Sequence, residues 1–247
     1  MKPQMKKEQS RNIDTFRMEK EKYTEQKNEP IPIYIKGKRK PLFVDVETTG
    51  LHGDDKIVSI CMILLDAQES EEKQKLIFKS LHYIFDPCKK SHPVAEKIHG
   101  YNDWTLRHQN LFEEKMHNIL YLIKESDLIV AHNVKFDMKF IRNAFADAKI
   151  DIGELDTMCT MEMHGGSLAS CAGRLGIRRE TSIHDAAEDT MMCMFLYLRK
   201  MSNINILDAY NKINSPKLQN FITPPPVPEG KLPRRNNVKK RKDILGE

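Results

Sequence analysis

Two carboxylates stand two residues apart, directly after an apolar run. Residues 45–50 read Asp-Val-Glu-Thr-Thr-Gly and follow Leu-Phe-Val, a pattern that predicts a buried strand. Side chains alternate along a strand, so Asp45 and Glu47 are expected to project from the same face. Carboxylates paired at the edge of a core need a neutralising partner, and Mg²⁺ or Mn²⁺ prefers such oxygen ligands. The pair therefore favours a metal site, with two solvated acids at a strand end as the alternative.

A second polar group follows the short apolar run 128–130. It reads Ala-His-Asn-Val-Lys-Phe-Asp, and apolar residues recur at helical spacing after its asparagine. Asn133 is expected to be the N-cap of this helix, with Asp137 in or near the first turn. An acid at this place also complements the helix dipole without any metal. Phe136 is most simply a core residue.

A third group, His-Asp-Ala-Ala-Glu-Asp, runs from His184 to Asp189 and opens another predicted helix. Asp189 falls on a largely apolar side of that helix, where a carboxylate needs a partner and a metal ion would serve. Asp185 and Glu188 are more simply solvated acids of the first turn. His184 taken alone would be a cap or a surface group.

In this order, the three groups resemble the three exonuclease motifs of the DEDDh superfamily. That superfamily includes the proofreading ε subunit of bacterial DNA polymerase III, ribonuclease T and oligoribonuclease. The resemblance covers roughly residues 40–201, and the Ile-His-Gly segment at 98–100 resembles the ε-like branch. The sister DEDDy group has a tyrosine four residues before the last acid. Asp185 holds that place here and His184 stands one residue earlier, which indicates the histidine group.

The resemblance implies a two-metal 3′–5′ exonuclease that releases nucleoside monophosphates. Asp45 would bridge two Mg²⁺ or Mn²⁺ ions, which neutralise charge and activate water in such sites. Glu47 and Asp189 would complete the ion beside the attacking water, and Asp137 would hold the second ion beside the leaving group. His184 would be the general base, for which the ordinary histidine pKa of about 6.5 is suited.

Four further residues are expected to contact the substrate. Thr48, Leu51 and His99 match family positions near the terminal nucleotide, and Asn133 of the second motif is the remaining candidate. Leu51 could equally fill a core position, and His99 could equally be an ordinary histidine at a helix end. The sequence alone leaves these alternatives open.

The expected substrate is nucleic acid with a free 3′ end, single-stranded at the site, and the ε-like Ile-His-Gly segment favours DNA. The implied role is proofreading or repair, with a polymerase or replication protein acting in trans. Three alternatives stay open: an exoribonuclease of the same superfamily, a ribonuclease H-like endonuclease, and an inactive nucleic-acid-binding scaffold. The presence of all five chemical residues argues against the scaffold.

Length and charge indicate one catalytic domain with two tails. The chain has 247 residues, 40% of them hydrophobic, and we expect the domain at 41–215. Residues 1–40 contain twelve basic and six acidic residues, and residues 216–247 contain eight and three. Both ends are therefore expected to be flexible, basic segments that contact phosphate, with the C-terminal one also Pro-rich. Tails that are merely solvated are the alternative.

Alternating strand and helix patterns predict an α/β domain. The resemblance implies a ribonuclease H-like mixed sheet flanked by helices, with the acids at one end of the central strands. No apolar run is long enough to span a membrane and the five cysteines form no C-x-x-C pair, so we expect a cytoplasmic protein. Strands are expected near 41–46, 57–65, 75–85, 127–131 and 155–159, and helices over about 105–124, 134–148, 167–175 and 185–201.

Overall fold

The structure is a computed structural model that describes residues 24–25 and 34–235. Within them, a six-stranded mixed sheet is the centre of the fold. Most of the expected N-terminal extension, and the basic cluster at 239–242, lie outside the described residues. The strands are β1 (Thr24–Glu25), β2 (Pro41–Thr48), β3 (Ile57–Leu65), β4 (Phe78–Ile84), β5 (Leu128–Ala131) and β6 (Thr157–Cys159).

The strand order across the sheet is β1-β4-β3-β2-β5-β6. Strands β2, β5 and β6 run parallel to one another, and the remaining neighbours are antiparallel. All nine residues of β3 are buried, because strands flank it on both sides and helices cover both faces. The predicted strand 57–65 is therefore confirmed in full. The strand predicted at 75–85 begins only at Phe78, because the residues before it follow a short helix that was not predicted.

Helices cover the two faces of the sheet in the described part of the chain. They are α1 (Ala67–Lys73), α2 (Pro93–His99), α3 (Asp103–Leu106), α4 (Met116–Glu125), α5 (Val134–Asp147), α6 (Thr160–His164), α7 (Leu168–Gly173), α8 (Ala186–Met201) and α9 (Ile206–Lys212). The helices predicted at 134–148, 167–175 and 185–201 are confirmed as α5, α7 and α8. Among the described residues, none of the helices has the length and apolar character needed to cross a membrane.

The burial pattern of β2 sets the direction in which its acids point. Phe43 packs toward α8, where its ring meets Tyr197 edge-on with centroids 5.3 Å apart. Val44 belongs to the cluster on the opposite face, with α4 and α5. Burying an apolar side chain of this size contributes roughly 1.5–3 kcal/mol, so slipping β2 by one residue would be costly. The register therefore directs Asp45 toward the α8 side of the sheet.

The helix predicted over 105–124 is wrong in its first half. Helix α3 ends at Leu106, and α4 begins only after a 3₁₀ turn at Phe112–Glu114. The carbonyl of Asn110 accepts a hydrogen bond from the backbone N–H of Asp86 at 2.8 Å. This contact with the loop after β4 takes the place of a helical hydrogen bond. Tertiary pairing thus overrides the local helical preference.

Residues 216–235, which we name the C-terminal strap, run back along the domain. The side chain of Asn220 donates to the carbonyl of Ile84 at 2.7 Å and accepts from its backbone N–H at 2.9 Å. It thereby satisfies the edge of β4 as a neighbouring strand would. Further along, Trp104 Nε1 donates to the carbonyl of Pro225 at 2.7 Å. Contacts with the domain therefore continue past the predicted boundary at 215/216.

Candidate active site

The end of β2 carries the first two carboxylates. Strands β2 and β5 pair in parallel as far as Phe43 and Val130, and β2 then continues to Thr48. Asp45 and Glu47 lie on this overhanging part, two residues apart on one face. The carboxyl ends of parallel strands form an opening at this point, which is the usual place for a site in such sheets.

Asp137 approaches the same opening from α5. Asn133 precedes this helix in the left-handed conformation, with φ 79°, and its side chain makes no capping bond. Asn133 is therefore the N-cap residue, as predicted, but it caps the helix by position alone and not through its side chain. Asp137 is buried one turn into α5, and its Oδ1 accepts a hydrogen bond from the backbone N–H of Val46 at 3.1 Å. This bond fixes the carboxylate against the end of β2.

Asp189 and His184 are placed by the start of α8. Asp185 caps this helix, because its Oδ1 accepts from two backbone N–H groups of the first turn. The backbone N–H of His184 donates to the carbonyl of Ile98 at 2.8 Å, which ties the loop to α2. His184 Nδ1 then lies 3.6 Å from Asp189 Oδ2 and 4.0 Å from Glu47 Oε1. Glu47, His184 and Asp189 together offer ligand atoms within 4.8 Å of one another, a group suited to a metal ion.

The carboxylates of the site repel one another. Burial, with the nearby charge of Asp189, raises the pKa of Glu47 to about 8. Burial and the charges of the other three acids also raise the pKa of Asp45 well above its usual value, and burial does the same for Asp137. Such shifts mean that the negative charge here has too few positive partners among the residues that the structure describes. Divalent cations would supply them.

One arginine lies among these acids. Arg179 forms a bidentate ion pair with Asp189, with Nε 2.6 Å from Oδ1 and Nη2 2.7 Å from Oδ2. Burial and the positive charge of Arg179 lower the pKa of His184, against an opposing effect of Asp189. His184 is therefore neutral near pH 7, and its side chain is 39% exposed. Sequence reasoning missed Arg179, because an arginine in the charged loop Arg-Arg-Glu carries no spacing signal.

These groups form the floor of a pocket of about 570 Å³, a size that is typical of ligand sites. One wall of the pocket is apolar. Leu51 and Val94 there are 74% and 58% exposed, so they offer apolar surface to a ligand, and Ile98 lies beside them. Phe136, which was predicted as a core residue, packs on the core of the domain and also lines the pocket.

The loop that carries Leu51 is held by Asp55. Asp55 Oδ1 accepts a hydrogen bond from Thr49 Oγ1 at 2.7 Å. A Cβ atom on Gly50 would lie 2.5 Å from Asp55 Oδ2, so only glycine fits at this approach. Thr48, for which substrate contact is predicted, lines the pocket, and its hydroxyl donates to the carbonyl of Gly50 at 2.7 Å. The loop is therefore shaped before any substrate arrives.

Two predicted substrate residues lie away from the pocket lining. His99 is buried, with Nε2 3.2 Å from Ser91 Oγ, and its Nδ1 accepts from the backbone N–H of Tyr101 at 3.0 Å. Burial lowers the pKa of His99 to about 4. Asn133 is exposed at the start of α5 and is not among the lining residues. For both, substrate contact stays a prediction that this geometry does not support.

A mixed sheet between helical layers, with acids at the carboxyl ends of its parallel strands, defines a ribonuclease H-like α/β domain. The family model for the RNase_T exonucleases matches residues 42–197, and the chain belongs to this family. It is a member of the DEDDh 3′–5′ exonuclease superfamily. The resemblance inferred from the three motifs is confirmed.

The relatives of known function are distant. The chain is 26% identical over 170 residues to DNA polymerase III subunit epsilon of Pasteurella multocida (strain Pm70), covering 64% of this chain and 66% of that protein. It is 25% identical over 187 residues to the PolC-type DNA polymerase III of Mycoplasmopsis pulmonis (strain UAB CTIP), covering 70% of this chain. That match covers only 12% of the relative. The chain thus spans less than two thirds of either relative.

Among solved structures, E. coli exonuclease I in complex with a 5cy-dT13 oligonucleotide has a similar fold. The TM-score is 0.52 at 18% identity, and the match covers 66% of this chain and 41% of that chain. At this identity the likeness concerns the fold alone. It confirms the predicted ribonuclease H-like architecture.

Proposed function

We propose that the chain is a two-metal exonuclease that removes nucleoside monophosphates from single-stranded 3′ ends, with DNA as the preferred substrate. Family membership supports the 3′–5′ hydrolytic activity. The finer proposal is carried by one observation, the convergence on one pocket of the five residues from three motifs. These residues are Asp45, Glu47, Asp137, His184 and Asp189.

The donor set fits two Mg²⁺ or Mn²⁺ ions. Four carboxylates offer hard oxygen ligands, and their four negative charges would be balanced by two divalent ions. The charges of Glu47, Asp137 and Asp189 all act on Asp45, which supports a bridging position for Asp45 between the two ions. When bound, the ions would neutralise charge at the scissile phosphate and make the attacking water more acidic.

His184 is suited to take the proton of the attacking water. A general base must be neutral to accept a proton, and its lowered pKa keeps His184 neutral near pH 7. Its backbone bond to Ile98 and its position beside Glu47 and Asp189 hold the imidazole over the acids. His184 lines the pocket and its side chain is partly exposed, so a proton that it accepts can pass on to solvent.

The apolar wall supports a single-stranded substrate. Leu51, Val94 and Ile98 line the same pocket as the acids and are too exposed to serve only as core residues. An unpaired terminal base can lie on such a surface with its phosphate over the carboxylates. A paired base would first have to leave its stack, which costs a few kcal/mol. Single strands are therefore the favoured substrate.

DNA, a polymerase partner and a cytoplasmic location are the remaining parts of the proposal. The two relatives described above are DNA polymerases or their subunits, which supports DNA and a replication partner acting in trans. All five cysteines are free thiols, which supports a reducing compartment. Proofreading or repair is the role that fits these features.

The test is digestion of matched 5′-labelled single-stranded DNA, duplex DNA and RNA at equal concentration, with Mg²⁺ or with excess chelator. We expect a ladder that shortens from the 3′ end, fastest on single-stranded DNA and absent in chelator. Discrete internal cuts would indicate an endonuclease, and faster cleavage of RNA would indicate the exoribonuclease alternative. Binding without cleavage would indicate a scaffold.

The matched control for this test is a pair of equal substitutions. Asp137→Asn removes one of the proposed ligands, whereas Asp208→Asn makes the same chemical change on α9, away from the pocket. We expect the first to abolish the ladder and the second to leave it unchanged. Equal activity in both variants would contradict the assignment of the site.

A further inference from the structure

Two nitrogens of the Arg179 guanidinium bind the Asp189 carboxylate. Nε lies 2.6 Å from Oδ1 and Nη2 lies 2.7 Å from Oδ2, so each carboxylate oxygen accepts one charge-assisted hydrogen bond. The side chain of Arg179 is 15% exposed and lines the pocket. Positive charge thus lies directly on one of the proposed metal ligands.

Arg179 and a divalent ion would both bind the same oxygen of Asp189. Oδ2 is the atom that faces His184 Nδ1 at 3.6 Å, within the compact group formed with Glu47. A divalent ion in this group would approach the oxygen that Arg179 Nη2 already contacts. Two cations on one carboxylate oxygen repel each other, most strongly where burial weakens solvent screening. Arg179 and a divalent ion therefore compete.

The net charge of the site changes sign when two divalent ions bind, which frees Arg179 to bind a phosphate. With all four acids ionised, as metal binding requires, they contribute −4 and Arg179 contributes +1, which sums to −3. Two divalent ions would change this to +1, which leaves the arginine in excess. A phosphodiester contributes −1, and a guanidinium binds phosphate as readily as carboxylate through the same planar fork.

We infer that Arg179 is an exchangeable cation, which neutralises Asp189 in the metal-free site and moves to a phosphate of the substrate strand once divalent ions are bound. This inference rests on the proposed exonuclease function. It makes Arg179 a substrate-binding residue that couples metal binding to substrate binding.

The surroundings of Arg179 allow this movement. It belongs to the irregular segment 178–185 between α7 and α8, so no helical hydrogen bond fixes its backbone. The pocket lies beside it, and an arginine side chain can redirect its head group by rotation about its stem. Ser182 and Ile183 in the same segment are exposed, so the segment is not locked into the core.

The contrasting interpretation is that Arg179 merely clamps Asp189 in the orientation that metal binding needs. The two interpretations predict opposite signs for one measurement. An exchangeable cation opposes metal binding in the absence of substrate, so its removal strengthens metal binding. A clamp assists metal binding, so its removal weakens it.

The first experiment measures Mg²⁺ binding by isothermal titration calorimetry in the absence of nucleic acid, for wild type, Arg179→Gln and Arg179→Lys. We expect Arg179→Gln to bind Mg²⁺ roughly tenfold more tightly, the size expected when one charge-assisted pair no longer competes. The Mg²⁺ affinity of Arg179→Lys should lie between those of wild type and Arg179→Gln, because lysine keeps the charge but lacks the planar guanidinium group. Arg178→Gln is the matched control, since Arg178 is the exposed neighbour in the same loop.

The second experiment measures binding of a labelled oligo(dT) by fluorescence anisotropy, with Ca²⁺ in place of Mg²⁺ and again with chelator. We expect Arg179→Gln to bind the strand about tenfold more weakly with Ca²⁺, and no more weakly than wild type in chelator. Metal affinity that is unchanged or reduced in Arg179→Gln would overturn the inference. Equal strand affinity with Ca²⁺ would also overturn it.

The failure of this inference is distinguishable from failure of the site itself. If wild type binds no Mg²⁺ by calorimetry, the proposed function fails. If wild type binds Mg²⁺ and cleaves while Arg179→Gln binds Mg²⁺ no better, only the exchange is refuted.

Discussion

The pocket and the C-terminal strap each place arginines against buried aspartates. At the strap, Arg235 pairs with Asp86 and with Asp103, its Nε lying 2.9 Å from Asp103 Oδ1, and Arg107 pairs with Asp103 as well. We name these four residues the strap cluster. In the pocket, Arg179 is paired with Asp189 while three further acids surround them.

The difference between the two regions is charge balance. The strap cluster has two positive and two negative residues, and although burial opposes it, hydrogen bonds from Arg107 and Arg235 hold the pKa of Asp103 below its usual value. In the pocket, four acids share one arginine, and the pKa values of Asp45 and Glu47 are raised. A balanced cluster stabilises the fold by itself, whereas an unbalanced one needs a ligand.

The largest effect is expected when an aspartate is replaced by asparagine, once in the pocket and once in the strap cluster. Asp45→Asn should lower the cleavage rate by about 10⁴-fold or more, because losing the ions forfeits several kcal/mol of transition-state stabilisation. Without metal, it should raise the melting temperature, because one repelling charge is gone. Asp103→Asn should lower the melting temperature and leave the rate near that of wild type. Thermal unfolding in chelator measures the melting temperatures, and cleavage assays in Mg²⁺ measure the rates. A change of melting temperature in the same direction for both variants would contradict the comparison.

A smaller loss of rate is expected for His184→Ala. Removing a general base should cost about 10²–10⁴-fold, while Mg²⁺ binding persists because the carboxylates remain. Since its pKa is lowered, the wild-type rate should decline only below the ordinary histidine range, as His184 becomes protonated. Single-turnover rates across pH 5 to 9 measure this. A variant with a rate near wild type throughout would remove His184 from the mechanism.

The strap cluster should affect stability and not catalysis. Arg235→Gln removes the arginine that pairs with both Asp86 and Asp103 and leaves Arg107 beside Asp103, which should lower the free energy of unfolding by about 3 kcal/mol. Cleavage by the folded variant should stay within about twofold of wild type. Urea unfolding measures the first expectation, with the exposed neighbour Arg234→Gln as control. A large loss of activity at constant stability would mean that the strap serves the pocket directly.

A further effect is the dependence of stability on pH. Glu47 has a pKa of about 8 when folded against 4.5 ordinarily, so between these values the folded chain binds more protons than the unfolded one. Its contribution to stability is therefore present at low pH and is lost as pH rises toward 8. Unfolding in chelator at pH 5 to 8.5 should show this decline. Glu47→Gln should make the stability less dependent on pH, and Mg²⁺ should reverse the direction of the dependence. A wild-type stability that rises with pH throughout this range in chelator would contradict the raised pKa of Glu47.

Much of the pocket was predictable because its chemistry depends on residue type and spacing. Asp45 and Glu47 follow an apolar strand, and His184 precedes Asp189 by five residues, so their resemblance to the family motifs identified them. Strand 57–65 was equally clear, since an apolar run of this length, interrupted only by Ser59, is typical of a strand that is buried on both faces of a sheet.

The features that escaped prediction depend on partners far away in the chain. Arg179 looks like any loop arginine until Asp189 lies beside it. The break in the helix predicted over 105–124 depends on Asp86, and the path of the strap depends on side-chain amides such as that of Asn220 meeting backbone groups of β4. The local sequence pattern does not indicate such long-range contacts.

The late position of the strap in the chain has a consequence for biosynthesis. The chain leaves the ribosome from its N-terminus, so every proposed catalytic residue up to Asp189 emerges before Asn220 does. At about 5–20 residues per second, roughly 2–6 s separate the two. Throughout that interval the outer edge of β4 at Ile84 lacks the partner that later covers it. A nascent chain therefore passes through a stage in which its catalytic residues have been made while a sheet edge stays open to pairing with a neighbouring chain.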